Sequence, residues 1–143
     1  MKGKILFCSF NQCFEEDLST FDIKLQITRY TNKGLLVDFI HAPGLSPSEE
    51  LLNKTNNRWK KLKFQDYELA KMKNGTWWNL YTEEFYLEMS MRPDFIYNYE
   101  RLKEHLNNGK NIICCCFCED YDKCHRSLIA KQLIKEGYNV ELK

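Results

Sequence analysis

The run from Asn111 to Phe117, Asn-Ile-Ile-Cys-Cys-Cys-Phe, is apolar from its second residue on. It is too short for an ordinary helix and shows no polar alternation, so it reads as a central strand buried on both faces. A polar loop follows, Glu119 to Lys123. The next segment, His125 to Glu136, places Leu128, Ile129, Leu133 and Ile134 inward at helical spacing, with Gly137 as its stop. Tyr138 to Leu142 alternates and reads as a last strand. The end of the chain is therefore strand–loop–helix–strand, a right-handed crossover if the two strands are parallel neighbours.

The rest of the chain fits around that unit. Lys4–Cys8 is a short apolar strand, Gln12–Leu18 a short helix or loop, and Ile23–Thr28 an alternating strand. Leu35–Ile40 reads as a further strand. Ser46, Pro47 and Glu49 resemble a capped helix start, with the helix running to about Lys61. Helices are predicted over 64–73, closed by Asn74-Gly75, over 82–91, stopped by Pro93, and over 95–106, closed by Asn107-Asn108-Gly109. Trp77, Trp78 and Tyr81 fall in an apparent loop, as a lid over the core or a stacking wall. No repeat or linker divides the 143 residues. The expected fold is a single-domain, three-layer α/β fold with a mostly parallel sheet.

Composition removes several classes. The formal net charge of +1 argues against a general binder of long nucleic acid, which presents a basic face. No apolar stretch spans a bilayer, so no membrane partner is expected. The first apolar run is too short for a signal peptide, which points to the cytoplasm. Seven cysteines, three of them consecutive, do not make a secreted disulfide framework. In a reducing compartment such thiols pack, hold metal or react. Sixteen lysines against five arginines, with twelve asparagines, fit an AT-rich bacterial or phage genome.

Ligands of α/β sheets bind beyond the carboxyl ends of the strands. That place here is Phe117–Ser127, where Cys124-His125-Arg126-Ser127 opens the last helix. Unpaired amides and the helix dipole make such a start a seat for phosphate or carboxylate, with Arg126 as a bidentate fork. The structural alternative pairs Arg126 with Asp120 or Asp122. Cys116, Cys118, Cys124 and His125 are also metal-ligand types, but their spacing is not that of a zinc finger or ribbon. Strand alternation puts Cys114, Cys116 and Cys118 on one face and Cys115 and Phe117 on the other. Cys124, at a helix start beside His125 and Arg126, has the setting of a lowered thiol pKa. The spacing of Cys124 and Cys118 from Arg126 is not that of a thiol phosphatase. Ser9 and Phe10 follow the first strand, Arg29 and Tyr30 the second, and His41 the third. All would line one rim if the strands are parallel. Tyr86 and Met89 could face the same cleft.

These residues carry a resemblance. The strand with Cys116, the loop, the run Cys124-His125-Arg126-Ser127-Leu128-Ile129-Ala130 and the closing Gly137-Tyr138-Asn139-Val140 resemble the bacterial domain-of-unknown-function family 488. Cys8-Ser9-Phe10 is similar to its early Thr-Ser-Tyr, Ile27-Thr28-Arg29 to its Ile-Ser-Arg, and Ala42-Pro43 to its Ala-Pro. Tyr86 sits where that family has a helix tyrosine. The chain departs from it at Cys118, where the family has Glu; Glu119 is next. Cys116-Phe117-Cys118 is instead similar to the Cys-Trp-Cys of a related family of unknown function. The resemblance implies an α/β fold with a polar pocket around the Cys-His-Arg helix start.

The function expected from these residues is binding of a small phosphate-bearing ligand, a nucleotide, nucleotide-sugar or ADP-ribose-like compound, which a phage protein could sense or sequester. The expected binding residues are Ser9, Phe10, Arg29, Tyr30, Tyr86, Cys118, Cys124, His125, Arg126 and Ser127. The alternatives are an enzyme on such a ligand, with Cys124 or Glu119 catalytic, and a zinc-stabilised interaction module. No motif calls for a cofactor, and a homo-oligomer stays open.

Overall fold

The strand Ile112–Cys116 lies at the middle of a five-stranded sheet, and all five of its residues are buried. The computed structural model describes residues 2–31, 38–65, 76–118 and 124–143. Its strands are β1 (Lys4–Ser9), β2 (Ile23–Gln26), β3 (Ile40–His41), β4 (Ile112–Cys116) and β5 (Asn139–Leu142), in the order β3-β2-β4-β1-β5. Every pairing is parallel, with Ile5 and Ile23 both opposite Ile112. The described helices are α1 (Phe10–Cys13), α2 (Glu49–Gln65), α3 (Thr76–Met91), α4 (Pro93–Asn107) and α5 (His125–Lys135), with short 3-10 turns at Leu18–Thr20 and Pro43–Leu45.

Alternation along the strands divides the core in two. Ile5, Phe7, Leu25, Ile112, Cys114 and Cys116 face the long helices, packing with Leu51 of α2, Phe85 of α3, Leu102 of α4 and Leu128 of α5. Leu6, Cys8, Ile113 and Cys115 face the other way, under Phe10, Cys13, Phe21 and Phe39. The unequal layers follow from handedness. The β1-to-β2 connection moves toward one edge of the sheet, while β3-to-β4 and β4-to-β5 move toward the other. Crossovers of one hand must then use opposite faces. Both of the latter connections run through the helical face, so the third layer stays thin.

Local chemistry explains where the elements differ from expectation. Pro93 does more than stop α3: it occupies the first position of α4, where its missing N–H is no loss. Ser48, not Ser46, caps α2, its hydroxyl accepting from Leu51 N at 3.0 Å. The helix expected to end at Lys61 runs to Gln65. The rest of the helix predicted over 64–73, and its Asn74-Gly75 stop, lie outside the described residues. So do residues 35–37 of the predicted third strand, Leu35–Ile40; β3 keeps Ile40 and adds His41, which the sequence pattern places just beyond it. Trp77, Trp78 and Tyr81 are not in a loop; they form the first turns of α3, buried, with Tyr81 stacked between Trp78 and Phe85.

The terminal crossover also differs. β4 and β5 are parallel, but β1 lies between them, so α5 crosses over β1. The burial patterns give the reason. β1 is buried at every residue after Lys4, as an interior strand must be, whereas β5 alternates exposed and half-buried, as an edge strand does.

The amino end of β1 is fixed by a close backbone approach. Gly3 N donates to Leu106 O at 2.7 Å, and a β-carbon on Gly3 would lie 1.8 Å from Lys110 O. Gly3→Ala should therefore destabilise the protein by about 1–3 kcal/mol, the usual cost of overpacking. A urea midpoint equal to that of the unsubstituted chain would contradict this approach.

Candidate functional site

β1 and β4 are neighbours whose chains leave to opposite faces, β1 into α1 and β4 toward α5. Such a switch point leaves a crevice beyond the strand ends. A cavity of about 280 Å³ opens there, over the carboxyl end of β4. Thr28, Arg29 and Tyr30 reach it from the segment after β2, and Cys116, Phe117 and Cys118 from the end of β4. Cys124 and His125 line it from the start of α5, Leu52, Thr55 and Asn56 from α2, and Trp77 and Tyr81 from α3.

Sulfur dominates the floor. Cys116 and Cys124 Sγ are 3.2 Å apart, and Arg126 Nη1 donates to Cys116 Sγ at 3.1 Å. Hydrogen bonds from Cys118 and Cys124, helped by the charge of Arg126, outweigh burial and hold Cys116 well below the usual thiol range. Cys116 is thus the thiol of the cluster that gives up its proton first, and its neighbours hold theirs more tightly. Cys118 is pushed up to about 11, first by its bond to Cys116, and Cys124 is pushed well up, first by burial. The single proton of Cys124 faces two acceptors, Cys116 Sγ and His125 Nδ1, the latter at 3.5 Å. His125 Nε2 donates to Ile27 O at 2.6 Å, which leaves Nδ1 as the lone-pair side of a neutral ring. Burial lowers the His125 pKa and keeps it neutral.

A family model described as the active DUF488-N3 subclade, DUF488-N3a, matches residues 22–137. The chain belongs to the DUF488 family. The match runs from β2 through α5 and holds the whole lining of the cavity, while β1 lies before it. No curated protein and no solved structure is detectably similar to the chain.

Of the residues expected at the site of this DUF488 protein, Arg29, Tyr30, Cys118, Cys124 and His125 meet at the cavity. Arg29 is half-buried with Nε on Pro47 O at 3.1 Å, and Tyr30 is 56% exposed with its hydroxyl on Glu49. The others are placed elsewhere. Ser9 caps α1 in a capping box with Gln12, and Phe10 packs edge-on against Phe117 with ring centroids 4.8 Å apart. Tyr86 is on the outer side of α3, 38% exposed, and does not line the cavity. Ser127 turns back to Cys124 O at 2.8 Å.

Arg126 shows the largest difference. It is 0% exposed and points inward, donating to Cys118 O, to Lys143 O at 3.1 and 3.0 Å and to Cys116. Among the described side chains, the sulfur of Cys116 meets it at the start of α5. Glu119, Asp120 and Asp122 lie outside the described residues. Among the described residues no group of three or more His, Cys, Asp or Glu side chains is arranged to hold a metal ion, and no helix is long and apolar enough to cross a membrane.

Reading the sequence missed Thr28, Pro47, Leu52, Thr55 and Asn56, and treated Cys116 as rim. A signal existed for part of this: Leu52, Thr55 and Asn56 share one helical face by their spacing, as do Trp77 and Tyr81.

Acid should weaken the fold through two groups. His125 has a folded pKa below its unfolded value of about 6.5, so its share of stability is full above that pH and lost as pH falls below it. Cys116 is depressed from about 9, so its contribution is complete above that pH and disappears as pH falls through the folded value. Urea midpoints should drop from pH 8 to pH 5, with part of the slope removed by His125→Gln. A flat profile would contradict both assignments.

Proposed function

We propose that this DUF488 protein binds a small, flat, anionic ligand of the nucleotide class at the carboxyl edge of its sheet. The observation that carries this reading is Arg29 at an aromatic-lined cavity. Its guanidinium holds one backbone carbonyl and makes no ion pair with a described carboxylate. Tyr30, Trp77 and Phe117 line the cavity with aromatic rings. The volume of about 280 Å³ is near the lower end for small-molecule sites, which fits a base and sugar with the phosphate at the mouth. The phosphate seat is then Arg29 rather than Arg126, whose charge is engaged inside.

Adenosine and uridine monophosphates and ADP-ribose are the ligands to screen by thermal shift. A bound nucleotide should raise the unfolding midpoint in proportion to its concentration over Kd. Arg29→Gln should weaken binding about ten- to a hundredfold, the range for losing a charged hydrogen bond. No shift with any nucleotide, or equal affinity in Arg29→Gln, would defeat the reading.

One observation favours a second reading, chemistry on the bound ligand. The thiolate of Cys116 lines the cavity although only 1% exposed, and the matching family model is described as active. Cys116 would attack an electrophilic carbon of the ligand, and the leaving group would depart with the bonding pair. Cys124, which keeps its proton, is the adjacent thiol that can supply one. This reading predicts a covalent mass adduct or a converted ligand after incubation, lost in Cys116→Ser. Recovery of intact ligand from unmodified protein supports simple binding.

A further inference from the structure

Thr55 lies on α2, is 7% exposed and lines the cavity, and its hydroxyl has no hydrogen-bond partner among the described residues. A buried helical threonine ordinarily returns its hydroxyl to the carbonyl one turn earlier. Here it does not. A buried hydroxyl without a partner is costly, and each such group in a native protein calls for an explanation. Across the cavity, on α3, Tyr81 is 6% exposed and lines the same space. Burial above all raises its phenol pKa and keeps the proton on, so it stands as a donor. The wall between Leu52 and Trp77 thus carries hydroxyl groups within an apolar and aromatic surround.

We infer that Thr55 and Tyr81 read the polar edge of a heterocyclic base held in this cavity, which makes the ligand's base, and not only its phosphate, a determinant of binding. The inference rests on the nucleotide reading above. Ring faces select a flat ligand, and a hydroxyl that both donates and accepts selects a flat ligand with polar ring atoms. A purely hydrocarbon ring would leave Thr55 unpaired and drier still. A sugar phosphate without a base would leave the aromatic wall empty. Ligand binding then relieves a cost that the free protein carries, which is how a binding site comes to conflict with stability.

That conflict is the test. In the absence of ligand, Thr55→Val should raise the unfolding midpoint, because it replaces an unsatisfied hydroxyl with a methyl group of similar shape. The same substitution should weaken binding of adenosine or uridine monophosphate about tenfold, the effect of losing one hydrogen bond. Thr55→Ser should retain the affinity. Ribose 5-phosphate, which lacks a base, should bind Thr55→Val and the unsubstituted protein equally. Thr82 is the control: its hydroxyl is also buried without a partner, but it does not line the cavity. Thr82→Val should leave nucleotide affinity unchanged. Unchanged nucleotide affinity in Thr55→Val overturns the inference and leaves the nucleotide reading standing. A lowered midpoint in that variant, or an equal loss for ribose 5-phosphate, also overturns it, by assigning the hydroxyl to the fold or to the sugar phosphate. Failure of the unsubstituted protein to bind any of these probes removes both readings.

Discussion

A fully buried guanidinium is the constraint around which the carboxyl edge of the sheet is built. Taking one ion out of water costs several kcal/mol even after relaxation, on the order of what a small domain has in total. Arg126 therefore has to be met on all sides. The carbonyl of Cys118 holds it from the end of β4 and the carbonyl of Lys143 from beyond β5, while the sulfur of Cys116 supplies negative charge. Lys143 itself extends the pairing of β5 with β1 through its N–H to Phe7 O, at 2.9 Å. One side chain thus ties the start of α5 to two strands on either side of β1. The sulfur of Cys116 is the other half of the same arrangement: it takes one N–H of the buried cation and supplies negative character beside it.

This explains what could and could not be read from the chain. The uninterrupted apolar run at 112–117 gave away a strand buried on both faces, and the alternation of 138–142 was already that of an edge strand. Strand order was harder, because placing β1 between β4 and β5 depends on pairings over more than a hundred residues, such as Ile5 with Ile112. The site was legible as a place rather than as a mechanism. His125 through Ala130 are six consecutive buried residues, so the first turns of α5 have no polar face to reveal which way Arg126 points. An arginine at a helix start reads as an anion fork from sequence. Here the anion it meets is a cysteine eight residues back from the helix cap, and only the fold brings the two together.

The cavity depends on how two helices, α2 and α3, are set against each other over the carboxyl edge of the sheet. α2 and α3 are joined on their outer side by Glu84, which takes Arg58 at 2.6 Å and Lys54 at 3.1 Å. Glu88 of α3 reaches the backbone N–H of Ser48 at 2.9 Å and also its hydroxyl, setting a carboxylate at the amino end of α2, where the helix dipole favours it. Arg92 then joins Glu88 to Ser46 O, at 3.0 and 2.7 Å. Partly exposed pairs of this kind add little to stability. Their effect is on register: they fix which faces of α2 and α3 oppose each other, and hence that Thr55 and Tyr81 share a cavity with Cys116.

The near-neutral net charge therefore conceals a division of labour between two arginines. Arg126 is neutralised from within, by sulfur and carbonyl groups, and offers nothing to a ligand directly. Arg29 stands at the cavity with no direct ion pair to a described carboxylate, although its charge is felt by Asp94. An anion entering the cavity meets attraction from Arg29 and repulsion from the Cys116 thiolate at the floor. The favourable orientation is fixed by that gradient: negative groups at the mouth, a neutral ring inside. A ligand that is uncharged throughout would forgo Arg29, and one charged at both ends would confront the thiolate. On the proposed nucleotide reading, electrostatics and the aromatic lining favour the same shape of molecule by independent physical means, a ring with its charge confined to one end.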